Sequence, residues 1–273
     1  MTDAVAQHYG SDGLLDRILD ALRQAGKDPD HLTIDDLAPV DEFHSRRRKA
    51  TEELARMLAP AATDHVLDIG SGIGGPSRYL AARFGCRVSG IDLTPEFVAT
   101  AEALTGRVGL SERVDFRQGS ALAMPFPDAS FDLAWSQNVA MNIADRPRWY
   151  GEIHRVLKPG GRLAIQDVAQ GPGGPIHVPV NWADRAEISF LRTPEETRAL
   201  LEAAGFQVAQ WIDNTEAAIA EAEAERSRTV PGVRPVLGVH LVVGESFREK
   251  MRNANRNQAE NRTRLINALL VRV

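Results

Sequence analysis

An α/β fold on a mostly parallel sheet is predicted by three observations. From residue 65 onward, short β-branched runs alternate with helical patterns, as successive strand-helix units require. The first run, "HVLDIG", opens directly into the glycines of "SGIGG". The second, "RVSGID", ends on Asp92, 22 residues after Gly70.

The elements follow in order. Residues 1–40 alternate short helical patterns with turn residues; in "DGLLDRILDALRQAG" apolar positions recur at helical spacing until Gly26 supplies a stop. "RRKATEELARMLAP" reads as a helix that Pro60 ends. Strands are expected at about 65–69, 87–92, 113–118, 131–136, 161–168 and 206–212, and helices at about 75–84, 95–108, 146–157 and 194–204. "LKPGG" is a turn that cannot extend the helix before it. The final "RLINALLVRV" suits one more strand, with a C-terminal helix as the alternative.

Two stretches fall outside the alternation. Residues 169–190 are rich in Gly and Pro and carry Trp182 and Phe190, so they read as a loop over a site. Residues 214–261 hold two polar helices around a Pro-Gly break; their charges read as solvated helix faces, and together they have the makings of a lid.

Composition excludes several classes. A charged fraction of 25% with 43% hydrophobic residues is that of an ordinary globular protein, and a net charge of -5 offers no general attraction to nucleic acid or anionic lipid. The sequence shows neither a basic-then-apolar leader nor a run long enough to span a membrane, so a cytoplasmic location is expected. The single cysteine, Cys86, can form no intrachain disulfide and reads as a small buried residue. No Cys cluster, H-E-x-x-H or compact acidic set suggests a metal, and none is expected.

In an open parallel sheet, ligands bind beyond the carboxyl ends of the strands. Glycines at 70, 72, 74 and 75 let backbone approach a ligand there, and this spacing suits a dinucleotide too. Asp68, at the mouth of the loop, repels a pyrophosphate but suits a ligand presenting an ammonium group, as S-adenosylmethionine does; loop capping is its other reading. Asp92 stands where a carboxylate accepts hydrogen bonds from ribose hydroxyls.

"VLDIGSGIGG", "GIDLT", "FRQGSALAMPFPDASFDLAWSQ" and "EIHRVLKPGGRLAI", in this order, resemble the successive motifs of class I S-adenosylmethionine-dependent methyltransferases over about residues 45–212. More narrowly, "APVDEFHSRRRKATEELA" with "AWSQNVAMNI" is similar to the sarcosine and dimethylglycine methyltransferase type. The resemblance implies a Rossmann-like sheet of seven strands, mostly parallel with the last antiparallel, preceded by an N-terminal helical cap at 1–44; the methyltransferase domain would fill 45–273 and carry both insertions. It implies that Asp68, Gly70, Ser71, Gly72 and Gly74 line the methionine end of the cofactor, and that Asp92 with Leu93 holds the ribose. Ser120, where relatives commonly have Asp, and Ala121 would meet the adenine, and Gln137 and Asn138 would lie beside the methyl donor. Relatives commonly carry Gly-Gly soon after the Phe-His pair; here Arg46 and Arg47 stand instead, and their side chains make left-handed backbone angles costly.

Methyl transfer from a sulfonium needs alignment and desolvation more than a protein nucleophile, and a base only if the acceptor must lose a proton. The candidate catalytic residues are Asn138, His44 and Asp167; His8, Tyr9 and Asn142 are further acceptor-side candidates, while His154 reads as an ordinary helix residue. Trp182 and Phe190 suit an ammonium acceptor or simple packing. The expected activity is methyl transfer from S-adenosylmethionine to a small molecule, leaving S-adenosylhomocysteine. An amine nitrogen stands slightly ahead of carbon or oxygen on a prenyl, quinone or polyketide-like acceptor. The rival classes are an NAD-dependent oxidoreductase and a non-catalytic S-adenosylmethionine-binding protein. No nucleic-acid or membrane partner is expected, and the chain is expected to be a monomer or homodimer.

Overall fold

The computed structural model describes residues 13–228, 235–244 and 246–273. Three helices come first: α1 (Leu14–Gln24), α2 (Ile34–Asp41) and α3 (Arg47–Leu58). The alternating region follows as β1 (His65–Ile69), α4 (Gly75–Phe84), β2 (Arg87–Asp92), α5 (Pro95–Arg107), β3 (Val114–Gln118), β4 (Phe131–Gln137), α6 (Arg146–Val156), β5 (Leu157–Gln170), α7 (Pro194–Ala203) and β6 (Phe206–Asp213). Helices α8 (Thr215–Arg228), α9 (His240–Val243) and α10 (Phe247–Ala259) precede β7 (Thr263–Arg272).

The chain writes its own punctuation. Thr33 and Thr193 open α2 and α7 with reciprocal capping boxes to Asp36 and Glu196, and Asp145 caps α6 through the Arg148 N–H. Prolines 76, 95, 147 and 194 occupy first-turn positions that need no amide donor. Helix α3 stops at Leu58, just before Pro60, where the sequence predicts its end.

The seven strands form one sheet in the order β3-β2-β1-β4-β5-β7-β6. All are parallel from β3 through β5, and β7 runs antiparallel to both its neighbours, as expected. The strand alternative for the C-terminal segment therefore holds, because β7 buries Leu265, Ala268 and Leu270 between two partners. One boundary differs: β5 begins at Leu157 and takes in the Pro-Gly-Gly turn as a bulge, since Phe131 pairs with Leu157 but Leu133 pairs with Arg162.

Both faces of the sheet are covered, which explains why its central strands read as nearly continuous apolar runs. On one face, Trp149, Tyr150 and Ile153 of α6 and Leu201 of α7 pack on Leu67, Ile69, Leu163 and Ile165. On the other, Leu54 and Leu58 of α3, Leu80 of α4 and Ala101 of α5 pack on Val66, Val88, Leu133 and Trp135. Leu14, Ile18 and Leu22 of α1 join Leu37 and Val40 of α2 over Ile73, Phe97 and Leu104. Cys86 is buried, as expected. Among the described residues, no helix is long and apolar enough to cross a membrane.

Candidate functional site

The order of strands reverses between β1 and β4, and a cavity of about 440 Å³ opens at their carboxyl ends. It brings together Asp68, Gly70, Ser71, Gly72, Asp92, Leu93, Ser120, Ala121, Gln137, Asn138 and His44, eleven of the thirteen residues singled out as site candidates.

The donor half is made of strand ends and backbone. Gly72 has φ +54°, and a Cβ there would lie 2.7 Å from the Phe43 ring. Gly70, at φ +70°, faces Val139 at 2.5 Å in the same way, so neither position admits a side chain without displacing a neighbour. Asp92 accepts from the N–H groups of Gly72 (2.8 Å) and Thr94 (2.9 Å), one on each carboxylate oxygen, which leaves lone pairs for two further donors. Burial pushes its pKa up against those hydrogen bonds. Asp68 accepts from Ser77 Oγ at 2.5 Å; burial pushes it up to about 7 against that hydrogen bond, and the Asp92 charge adds to the rise.

Two polar atoms here, Ser71 Oγ and Asn138 Oδ1, are buried without a hydrogen-bond partner. Together with the side-chain-free loop and the two carboxylates, they fit a ligand carrying an ammonium group and a ribose. Ser71, Asp68 and the glycine loop would hold its amino-acid end, Asp92 its ribose, and Ser120 and Ala121 its base. A pyrophosphate meets an uncompensated carboxylate in the same place.

Two candidates stand behind the wall instead of on it. Gly74, at φ +84°, is the N-cap of α4, and its N–H donates to Ser71 O, so it shapes the loop from outside the cavity. Asp167 is not on the lining either: it accepts from the N–H groups of Val139 (3.0 Å) and Ala140 (2.9 Å), holding the turn that carries Asn138 and Asn142. Burial pushes it up to about 6, with Arg146 opposing. Its Oδ1 braces the turn, and its Oδ2 is buried without a hydrogen-bond partner. His154 sits on the far side of α6 near the C-terminus, and His8 and Tyr9 lie outside the described residues.

At the junction of the halves, His44 forms a dyad that the sequence reading missed. Its Nε2 lies 2.8 Å from Glu42 Oε2, and the Gln137 amide donates to Nδ1 (3.1 Å) and to Gln166 Oε1 (2.7 Å). Nδ1 also lies 3.3 Å from the Ser45 carbonyl oxygen; with the proton on Nε2, facing the Glu42 carboxylate, Nδ1 is the acceptor of the shorter Gln137 contact. Thr51 donates to Glu42 at 2.8 Å, and Arg48 pairs with its other oxygen at 2.9 Å. Burial works to raise Glu42, but the hydrogen bond and charge of His44, followed by Arg48 and Thr51, leave it below the ordinary carboxylate range. Glu42 was legible only as the second letter of "DEFH"; nothing local shows that Thr51, Gln137 and Gln166 complete the set.

Arg46 and Arg47 do adopt left-handed angles, at φ 63° and 48°. Arg46 offsets that cost with a double fork: it pairs with Glu53 (2.6 Å) on α3 and Glu221 (2.9 Å) on α8, and Lys49 adds a second cation to Glu221. The loop thus keeps the backbone form that glycines allow, and its side chain ties α8 to α3.

The acceptor half comes from the two insertions and the turn after β4. Met141, Ile143, Trp182, Phe190, Val242 and Phe247 form much of its wall. Trp182 is buried with Val180, Leu265 and Ala218, its indole N–H donating to Ser189, so its ring also serves packing. Helix α10 turns Phe247, Lys250, Met251, Ala254, Asn255 and Gln258 toward the cavity. These recur at the three- and four-residue spacing of one helix face, but half are polar, which hid the stripe from a search for apolar periodicity. Asn257, fully buried, clasps the backbone of His177 through two hydrogen bonds, so α10 and the 169–190 loop are joined. Among the described residues, no group of three or more His, Cys, Asp or Glu comes together to hold a metal ion.

A mixed sheet of this order, with a side-chain-free loop after β1 and an acidic end to β2, is built for a ligand carrying a nucleoside. Comparison with known proteins makes this specific. The family described as "methyltransferase domain" matches residues 67–165. Methyltransferase GfsG of Streptomyces halstedii is 32% identical over 216 residues, covering 78% of this chain and 73% of that protein. The sarcosine/dimethylglycine N-methyltransferase of Halorhodospira halochloris is 30% identical over 181 residues, covering 66% and 64%. Across the first three relatives, the matched stretch spans 36%, 64% and 73% of the relative's own length. In fold, the geranyl diphosphate C-methyltransferase of Streptomyces coelicolor A3(2) superposes with a TM-score of 0.72 at 18% identity, covering 100% of this chain and 98% of that one. The chain belongs to the class I S-adenosylmethionine-dependent small-molecule methyltransferases.

Proposed function

We propose that the protein transfers the methyl group of S-adenosylmethionine to a hydroxyl oxygen of a largely apolar small molecule. The observation that carries this reading is the Glu42–His44 dyad on the wall of a cavity whose acceptor half is mainly apolar. When bound, S-adenosylmethionine supplies an electrophilic methyl group on a sulfonium leaving group. The chain's task is then alignment, exclusion of water and management of one proton. Nδ1 of His44 exchanges its Gln137 contact for the acceptor hydroxyl and takes the hydroxyl proton as the new carbon–oxygen bond forms. Glu42 steadies the imidazolium from Nε2, and Thr51 and Arg48 hold Glu42. Asn138, left-handed at φ 56°, turns its side chain beside the reacting centre, with Asp167 bracing the turn. Helices α1 and α2 act as a cap, and α8 and α10 as a lid, on the catalytic domain.

Charge supports oxygen over a cationic amine. Lys250 lines the acceptor half, while Glu42 and Glu221 are already committed to His44, Arg48, Arg46 and Lys49. An amine acceptor is the competing reading, favoured by Trp182 and Phe190 on the wall and by the N-methyltransferase relative. The test incubates the protein with S-adenosylmethionine and two pools, apolar phenols and alcohols against sarcosine and dimethylglycine, and reads methylated products by mass spectrometry. Methylation of the first pool, abolished in His44→Ala, is expected; turnover of the amines alone overturns the oxygen assignment.

A further inference from the structure

Lys250 is out of character with its surroundings. It sits on the cavity-facing side of α10 between Phe247 and Met251, and it is 5% exposed. Its ammonium pairs with Asp184 Oδ1 at 2.9 Å, yet the Asp184 side chain is 59% exposed while that of Lys250 is 6% exposed. A pair made only for stability has no need to sink its cation into a cavity wall, since a desolvated charge is costly unless well compensated. An ammonium carries three donors, and Asp184 engages one face of it. On the same face of the helix, Asn255 and Gln258 also line the cavity, adding amide donors toward the C-terminal end of the stripe.

We propose that Lys250, assisted by Asn255 and Gln258, receives a carboxylate carried by the acceptor, so that the substrate is an amphipathic hydroxy acid with an apolar body. This deepens the oxygen reading and rests on it for the position of the hydroxyl. The apolar body lies against Met141, Val242 and Met251; the hydroxyl meets His44 and the carboxylate meets the lid. Docking of the anion fastens α10 over the bound substrate, tying recognition to the exclusion of water that methyl transfer requires. A carboxylate here gains a charge-assisted hydrogen bond in a poorly solvated place, whereas an ammonium in the same position faces Lys250.

The experiment is calorimetric titration of the protein saturated with S-adenosylhomocysteine, using decanoate, decanol and decylamine below their micelle concentrations. Decanoate is expected to bind about tenfold or more tighter than decanol, with decylamine weakest. Lys250→Met should abolish the preference for decanoate while decanol still binds, and Lys250→Arg should retain most of it. Asp184→Asn, which frees the ammonium, should tighten decanoate. Equal binding of the three probes, or a preference that survives in Lys250→Met, overturns the proposal. If decanoate is preferred through Lys250 while methylation falls on nitrogen or carbon, the oxygen assignment fails and the anion subsite stands.

Discussion

The two halves of the cavity are built by different rules. The donor half is local in sequence: Asp68, Gly70, Ser71 and Gly72 sit within five residues of one another, and Asp92 is the end of the next strand. Its chemistry is backbone N–H groups, carboxylates and glycines at which a side chain would displace a neighbour. The acceptor half is assembled from α10, the 169–190 loop, the turn after β4 and the loop before α3, joined through contacts such as Arg46–Glu221 and Asn257–His177 that bridge 175 and 80 residues. Its surface is van der Waals wall with a few polar points, so it can change without unmaking the fold. A shared donor with a variable acceptor follows from this division.

The strongest way to break the comparison is to damage the donor half. Asp92→Ala removes both carboxylate oxygens from Gly72, Thr94 and the ribose position, and Gly72→Val forces a branched side chain into left-handed backbone against Phe43. Each is expected to weaken S-adenosylmethionine more than about 100-fold in calorimetry. Lys250→Met and Phe247→Ala should leave that affinity within about threefold, because additive behaviour is expected of separated sites. A comparable loss from a lid variant would mean that the halves are not independent.

Next in size is the junction. His44→Ala and Glu42→Gln are each expected to lower kcat about 100-fold on a hydroxyl acceptor, with binding of S-adenosylhomocysteine unchanged. A drop in cofactor affinity with kcat preserved would reassign the dyad to the donor half.

These differences also set what could be read beforehand. Strand positions, the order of elements and the donor loop were legible because each depends on neighbours in sequence: apolar runs bounded by Gly and Pro, an aspartate at a strand end. Gly74 and Asp167 lie beside the cavity instead of on its lining, a matter of orientation that the sequence does not show. One residue of rotation around a turn decides whether a group faces the ligand or braces the loop from behind. Arg46 and Arg47 were legible as an obstacle to left-handed backbone, yet the two glutamates that make Arg46 worth the strain lie 7 and 175 residues away. The polar stripe of α10 read as a solvated face because helical periodicity was sought in apolar residues alone.

A smaller effect separates the halves by pH. Asp68 is raised to about 7 and Asp41 to about 6 by burial, with Ser77 and Arg78 respectively opposing the rise. A carboxyl raised in the folded state stabilises it fully below its unfolded value, about 4, and that contribution is lost as pH climbs through the folded value. The ligand-free protein should therefore melt a few degrees lower at pH 8 than at pH 5. S-adenosylmethionine should bind better as Asp68 ionises, so the cofactor's stabilising effect grows over the same interval. Asp68→Asn should reduce the slope of the ligand-free profile in scanning calorimetry, leaving the Asp41 share, and remove the pH dependence of binding. A ligand-free stability that stays flat from pH 5 to 8 would show that the carboxyls are ionised throughout.

The least disruptive change is also the most diagnostic of how the halves communicate. Arg46→Gly relieves left-handed backbone at φ 63° and at the same time removes the fork that joins Glu53 on α3 to Glu221 on α8. The two effects oppose each other, so stability in denaturant should stay within about 1 kcal/mol of the parent. What changes is the lid: with α8 released, the acceptor KM should rise several-fold while cofactor affinity stays the same. Arg46→Lys keeps a charge without the fork and should lie between the two. If KM is unmoved in both variants, the lid is held by its apolar contacts with Met141, Val168 and Leu265, and the arginine serves only to stabilise its own strained loop.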